Sequence, residues 1–201
     1  MNPEFRKSLF KRDIETLVES VKISMGSDYT APIDGAPDRP LEHTTRRNFL
    51  DQFFEALGWR LGPGGNTREE VHYLDYLGLN TDTNTPIVLI EAKRWSEQLI
   101  APLPNVETRF SGKNELVKAA IDHITNEAAS SASPVSSVWI DILSQVQGYV
   151  KEIKESTGHV VSRAVITSGK WLIIFTDNGK TFQESGKIDP ERILVFYIEN
   201  Y

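Results

Sequence analysis

The sequence predicts a mixed α/β fold, in which a central β-sheet of about four to five strands is flanked by helices and preceded by an N-terminal helical appendage. Apolar side chains recur at helical spacing near residues 4–25, 42–57, 113–128 and 139–158. Short apolar runs bounded by turn residues indicate strands near 69–79, 86–90, 160–166, 171–176 and 193–198. Because helices and strands are interleaved along the chain, helices packed on a mixed sheet are the expected architecture.

The loop-forming residues suggest two parts of unequal size. Residues 26–41 contain three prolines and two glycines, which is typical of a linker. We therefore predict an N-terminal helix and linker over 1–40 and a main domain over 41–201. The predicted turn over 80–85 consists of Asn, Asp and Thr and should join two strands as a hairpin.

Composition limits the classes of protein that the chain can belong to. Its 201 residues are 39% hydrophobic, which suits one domain with a substantial core. The absence of cysteine excludes disulfides, thiolate catalysis and zinc sites built on cysteine. A net charge of −6 means that any binding of nucleic acid must rely on a local basic surface. With no signal-peptide pattern and no apolar run long enough to span a bilayer, the expectation is a soluble, cytoplasmic protein without a membrane partner.

The predicted hairpin carries the residues with the clearest chemistry. Asp75 lies in its first strand, and Glu91 and Lys93 end its second strand. Residues two apart on a strand face the same side, so Glu91 and Lys93 should point together, with Asp75 beside them. Two carboxylates, with the backbone carbonyl of Ala92 as a further oxygen, suit Mg²⁺, for which Mn²⁺ can substitute. Lys93 would orient a water molecule or stabilise developing charge.

A Glu-x-Lys triplet is a weak signal when it stands alone. The chain contains a second one, Glu152-Ile153-Lys154, inside a predicted amphipathic helix, where residues two apart do not face each other. A surface ion pair at a strand end is the competing interpretation of Glu91 and Lys93. We predict that the helical triplet takes no part in chemistry.

The order of several motifs makes the strand triplet more specific. A helix opens with 42–47 and ends in Ala56-Leu57-Gly58-Trp59. There follow Asp75-Tyr76, Ile90-Glu91-Ala92-Lys93, Gln145-Val146-Gln147-Gly148-Tyr149 and the segment 165–171. Over residues 41–177 this order resembles the PD-(D/E)XK nuclease superfamily, most closely the N-terminal nuclease domain of type I restriction enzyme R subunits. Leu74 precedes Asp75 where the superfamily's name has proline.

The resemblance implies a metal-dependent DNA endonuclease of restriction or phage defence, with Asp75, Glu91, Lys93 and Gln145 as catalytic residues. It also implies a restriction-endonuclease-like core, and it is compatible with a domain of a larger enzyme. Glu42 would be an additional metal ligand, although an acid that opens a helix also stabilises the helix dipole.

DNA contacts are assigned to three further residues. Arg94, beside Lys93, and Arg46 are candidates for binding phosphate, with a solvated basic face as the alternative. Tyr149 shares a helix face with Gln145 and would either brace the site against DNA or simply pack in the core.

Two other functions stay open. A non-catalytic DNA-binding or interaction module could keep the same fold, and a nuclease with these residues could act on RNA or on structured DNA. The sequence contains no signature that separates these substrates.

Overall fold

A computed structural model describes residues 3–25, 46–60, 65, 67–71, 74–104, 106, 110–125, 133–183 and 188–197. It confirms the mixed α/β fold. A single sheet has the spatial order β1-β2-β3-β4-β5-β6, in which β3 and β4 are parallel and all other neighbours are antiparallel. The strands are β1 Thr67–Val71, β2 Leu74–Leu79, β3 Pro86–Ala92, β4 Arg163–Thr167, β5 Trp171–Phe175 and β6 Ile193–Tyr197.

The sheet has six strands because the segment predicted as one strand over 69–79 forms two. β1 and β2 pair antiparallel, with Thr67 opposite Gly78 and Val71 opposite Leu74. The sequence of β1, Thr-Arg-Glu-Glu-Val, is polar, as expected of a strand at the edge of a sheet. The chain reverses between Val71 and Leu74, so the predicted strand could not continue through this point.

Strand β3 lies inside the sheet between β2 and β4, as its continuous apolar run predicts. Parallel pairing of β3 with β4 requires a crossover connection, and two helices lie in it, α3 Lys113–Thr125 and α4 Ser137–Thr157. Leu89 of β3 and Leu143 and Val146 of α4 are fully buried in the larger hydrophobic core. These helices therefore cover one face of the sheet.

Helix α4 ends where the sequence indicates. Gly158 has a φ of 72°, a left-handed conformation that favours glycine, and its N–H donates to the carbonyl of Lys154 at 2.8 Å.

The other face of the sheet is covered by a short helical segment. A π-helical turn, Arg46–Leu50, runs directly into α2, Asp51–Ala56. Leu50 and Phe54 pack against Tyr76, Ile90 and Ala92 in a second, smaller core. This segment is the described part of the helix predicted over 42–57.

Helix α1, Pro3–Met25, packs on α2 and buries Leu17. The linker predicted over 26–41, together with Glu42 and His72, lies outside the described residues. Before β6 the chain forms a π-helical turn, Gly179–Gln183, and a 3-10 turn, Pro190–Arg192. No helix in the described part of the chain is long and apolar enough to cross a membrane.

Candidate active site

The predicted pairing of β2 with β3 is confirmed and brings two carboxylates together. Tyr76 lies opposite Ile90 and Leu77 opposite Leu89, so one step further along the same register Asp75 lies opposite Glu91. Side chains at opposite positions of an antiparallel pair project from the same face, here the face that α4 covers. Asp75 is only 6% exposed and Glu91 only 2%. Two buried carboxylates at opposite positions of paired strands repel each other and need partners that compensate their charge.

Asp75 has a partner at each of its carboxylate oxygens. The backbone N–H of Ala92 donates to Oδ2 at 2.7 Å, and Arg46 Nη1 lies 3.0 Å from Oδ1. The first bond ties the Asp75 side chain to the end of β3, beside Glu91. The second brings in a cation from the helical layer on the opposite face of the sheet.

Glu91 is paired with the lysine two residues further along the chain, just past the end of β3. Lys93 Nζ lies 2.6 Å from Glu91 Oε1, which confirms that the two side chains converge. The same ammonium group donates to Gln145 Oε1 at 3.3 Å, and Gln145 Nε2 donates to the Tyr149 hydroxyl at 2.5 Å. Helix α4 therefore reaches the strand triplet through two residues four positions apart on one helix face. The backbone N–H of Lys93 donates to the carbonyl of Thr167 at 2.7 Å, which anchors the end of β3 to β4.

Arg46 is held from a second side by residues that sequence reasoning did not select. Its guanidinium carbon lies 5.1 Å from the centroid of the Tyr76 ring, and the Tyr76 hydroxyl donates to Asp51 Oδ1 at 2.5 Å. Burial, and secondly the bond to Asp51, raise the pKa of the Tyr76 phenol well above its usual value, although a hydrogen bond from Arg46 acts in the opposite direction. The phenol therefore stays protonated at neutral pH. The sequence offers one signal that could have identified Asp51: its carboxylate lies next to the apolar helix positions Leu50 and Phe54.

The other predicted residues take different positions. Arg94 is partly exposed, and its Nε lies 3.3 Å from Glu97 Oε2. Tyr149 is 7% exposed and its ring belongs to the larger core, so the structure places it behind Gln145. Arg46 lies inside the site, with its side chain 11% exposed, and Glu42 lies outside the described residues.

The donor set suits a hard divalent cation. Mg²⁺ prefers oxygen ligands, is commonly held by one or two carboxylates, and keeps several waters. Asp75 and Glu91 supply two carboxylates on one face, and the carbonyl of Ala92 remains the predicted further oxygen. Among the residues that the structure describes, no cluster of three or more His, Cys, Asp or Glu side chains could hold a metal. A site built here on side chains therefore depends on this pair.

A separate groove lies on the opposite face of the sheet. It has a volume of about 560 Å³ and is lined mainly by apolar side chains, among them Phe49, Val165, Ile174 and Phe196. Asp75, Glu91 and Lys93 are not part of its lining.

Comparisons of the chain with protein-family models, with curated proteins and with solved structures found no match.

Proposed function

We propose that this protein is a metal-dependent endonuclease that hydrolyses phosphodiester bonds in DNA. The supporting observation is the buried pair of Asp75 and Glu91 at opposite positions of β2 and β3, with the Lys93 ammonium on Glu91. Burying two carboxylates and two cations carries a desolvation cost that a purely structural strand end does not require. A site that binds a cation and a phosphate gives these charges a purpose.

Each residue then has a role that follows from its contacts. Asp75 and Glu91 would hold Mg²⁺, which supplies an acidified water and neutralises charge on the scissile phosphate. Lys93 Nζ, two residues from Glu91, would orient the attacking water or stabilise charge that develops on the phosphate. Gln145 holds the ammonium in place from α4. Arg94, which follows Lys93 in the chain, has a partly exposed side chain and would contact a phosphate next to the one that is cleaved.

The cellular role proposed is restriction or phage defence, as part of a larger enzyme or on its own. This part of the proposal rests on the resemblance to the nuclease domain of type I restriction R subunits. The net charge of −6 adds a physical expectation, because long-range repulsion opposes binding of a polyanion. A cation bound at Asp75 and Glu91 would reverse the charge at the point of contact.

Cleavage of a supercoiled plasmid tests the proposal directly. The wild type should nick or linearise the plasmid with Mg²⁺ or Mn²⁺ and should leave it intact in EDTA. Asp75→Asn, which keeps the shape of the side chain and its acceptor for the Ala92 N–H, should cleave no faster than the EDTA control. Metal-dependent cleavage by Asp75→Asn at the wild-type rate would refute the assignment. Parallel reactions with single-stranded DNA, a four-way junction and RNA would identify the preferred substrate.

A second candidate is a DNA-binding module that keeps the fold without catalysis. The specific observation in its favour is that each carboxylate already contacts a cation of the same chain, Asp75 with Arg46 and Glu91 with Lys93. Duplex affinity measured in EDTA and in Ca²⁺, each at two salt concentrations, separates the two candidates. Tighter binding in Ca²⁺ supports the metal site, whereas equal binding in both, without cleavage in Mg²⁺, supports the module.

A further inference from the structure

The guanidinium of Arg46 contacts the Asp75 carboxylate oxygen that does not bond the Ala92 N–H. Asp75 Oδ2 accepts the Ala92 N–H at 2.7 Å, which leaves Oδ1 as the oxygen with which a cation would engage most directly. Arg46 Nη1 lies 3.0 Å from that oxygen. The Arg46 side chain is 11% exposed and the Asp75 side chain is 9% exposed. A divalent ion and a guanidinium that share one buried carboxylate oxygen repel each other, so each weakens the binding of the other.

We propose that Arg46 and the divalent cation compete for Asp75, so that Arg46 stabilises the metal-free site and is displaced when metal binds. This inference rests on the proposed function, because it concerns the same metal site. It assigns Arg46 as a positioning residue that lowers the affinity for metal, in addition to any contact with phosphate.

The contacts of Arg46 make displacement from Asp75 feasible without disrupting the sheet. Arg46 belongs to the π-helical turn, and its guanidinium also lies over the Tyr76 ring, whose hydroxyl is bonded to Asp51. The Tyr76 ring, held by the bond of its hydroxyl to Asp51, would therefore still contact the Arg46 guanidinium after Arg46 leaves Asp75. Lys93 is in a different position, because it follows β3 directly, two residues after Glu91, and is also held by Gln145. Arg46 is thus the cation that lies on a different element from both carboxylates.

Calorimetric titration with Ca²⁺, which reports binding without turnover, tests the competition. Arg46→Met removes the charge and keeps an apolar stem of similar length. It should bind Ca²⁺ at least about tenfold more tightly than the wild type, since a charge in contact with a carboxylate shifts its equilibria by a factor of ten or more. Arg192→Met is the matched control, because Arg192 forms an exposed pair with Asp189 at 4.0 Å, and its Ca²⁺ affinity should equal that of the wild type. The melting temperature of Arg46→Met should fall in EDTA and recover with Ca²⁺ more than that of the wild type.

A measurement on the wild type covers the case in which Arg46→Met fails to fold. The side-chain Nε–H resonance of Arg46, assigned with Arg46→Lys, should shift on addition of Ca²⁺, while that of Arg192 should not. If the wild type binds Ca²⁺ but Arg46→Met binds it equally or less tightly, or if the Arg46 resonance does not move, the competition is disproved and the proposed function stands. If neither protein binds Ca²⁺ or Mn²⁺ and no cleavage occurs, both proposals fail. Binding by Arg46→Met alone would support the competition in its strongest form.

Discussion

Two Glu-x-Lys triplets in this chain have the same residue types and different surroundings. Glu91 lies at the end of β3 and Lys93 directly follows the strand; Glu91 is buried and the Lys93 ammonium lies 2.6 Å from its carboxylate. Glu152 and Lys154 lie on α4, where both side chains are exposed and Lys154 Nζ donates to Gln183 Oε1 at 2.7 Å. The strand places residues two apart on one side, whereas the helix turns them away from each other.

The difference shows that the contacts of a Glu-x-Lys triplet depend on the backbone that carries it. On the strand, one neighbouring chain segment supplies a second carboxylate, Asp75, and a facing helix supplies Gln145. On the helix, Lys154 contacts the side-chain amide of Gln183, in the π-helical turn before β6. The predictions below compare each residue of the strand site with a counterpart outside it.

The largest effect is expected from the two glutamates. Glu91→Gln should reduce plasmid cleavage by at least about 100-fold, because it removes the proposed metal ligand while keeping the side-chain volume. Glu152→Gln should cleave at the wild-type rate. Cleavage rates in Mg²⁺, with circular dichroism to verify folding, provide the measurement. Equal losses in the two variants would mean that position on the strand does not decide function.

The lysines should differ in stability as well as in activity. Lys93→Met should lose about 100-fold in cleavage. It should also lower the free energy of unfolding in EDTA by about 3 kcal/mol, because it leaves Glu91 buried without its cation. Lys154→Met should change both quantities little, since exposed pairs and bonds contribute little.

Urea denaturation provides the stability values for the lysine comparison. The double variant Glu91→Gln/Lys93→Met is the internal control and should recover part of the lost stability, because both buried charges are then removed. A double variant no more stable than Lys93→Met would show that the pair itself is not the source of the effect.

A smaller effect is expected from the glutamine that touches Lys93. Gln145→Ala should reduce cleavage by about tenfold with little change in metal affinity, because it frees the ammonium without removing a ligand. Gln147, two residues along α4, bonds instead to the carbonyl of Phe182 at 3.4 Å, and Gln147→Ala should leave cleavage unchanged. Single-turnover rates at saturating Mg²⁺ separate positioning from binding. A loss in Gln145→Ala that excess Mg²⁺ restores would contradict the positioning role.

The smallest effect on cleavage is expected at Tyr76, which lies on the opposite face of β2 from Asp75. Tyr76→Phe should cost about 1 kcal/mol of stability at pH 7, because it removes the hydrogen bond to Asp51. The folded state keeps the Tyr76 proton, whereas the unfolded state releases it near pH 10, so wild-type stability should fall as the pH rises past that value. Tyr76→Phe lacks this loss, and the difference between the two proteins should therefore narrow in thermal melts above pH 10. A difference that stays constant with pH would show that the Tyr76 proton is not linked to folding.

The sequence by itself determined the features that depend on local periodicity. The apolar runs and turn residues correctly predicted the helices near α3 and α4, the hairpin of β2 and β3, and the burial of β3. The shared side of Glu91 and Lys93 also followed, because the direction of strand side chains alternates with a period of two. The division of residues 67–79 into two strands was missed, because the reversal between Val71 and Leu74 leaves no glycine or proline signal in the sequence.

Only the tertiary structure decided which distant groups contact the charged residues of the site. Gln145 reaches Lys93 across 52 residues of chain, and Arg46 reaches Asp75 from the layer on the other face of the sheet. Neither contact follows from a local sequence pattern. The Gln145 contact depends on the crossover between β3 and β4, and the Arg46 contact depends on how the helical segment that ends in α2 packs on Tyr76 and Ile90. Arg46 was expected at a phosphate and lies against a buried carboxylate. The physical reason is that a buried charge is stabilised by whichever opposite charge the packing brings within a few ångströms, and residue spacing along the chain does not encode that distance.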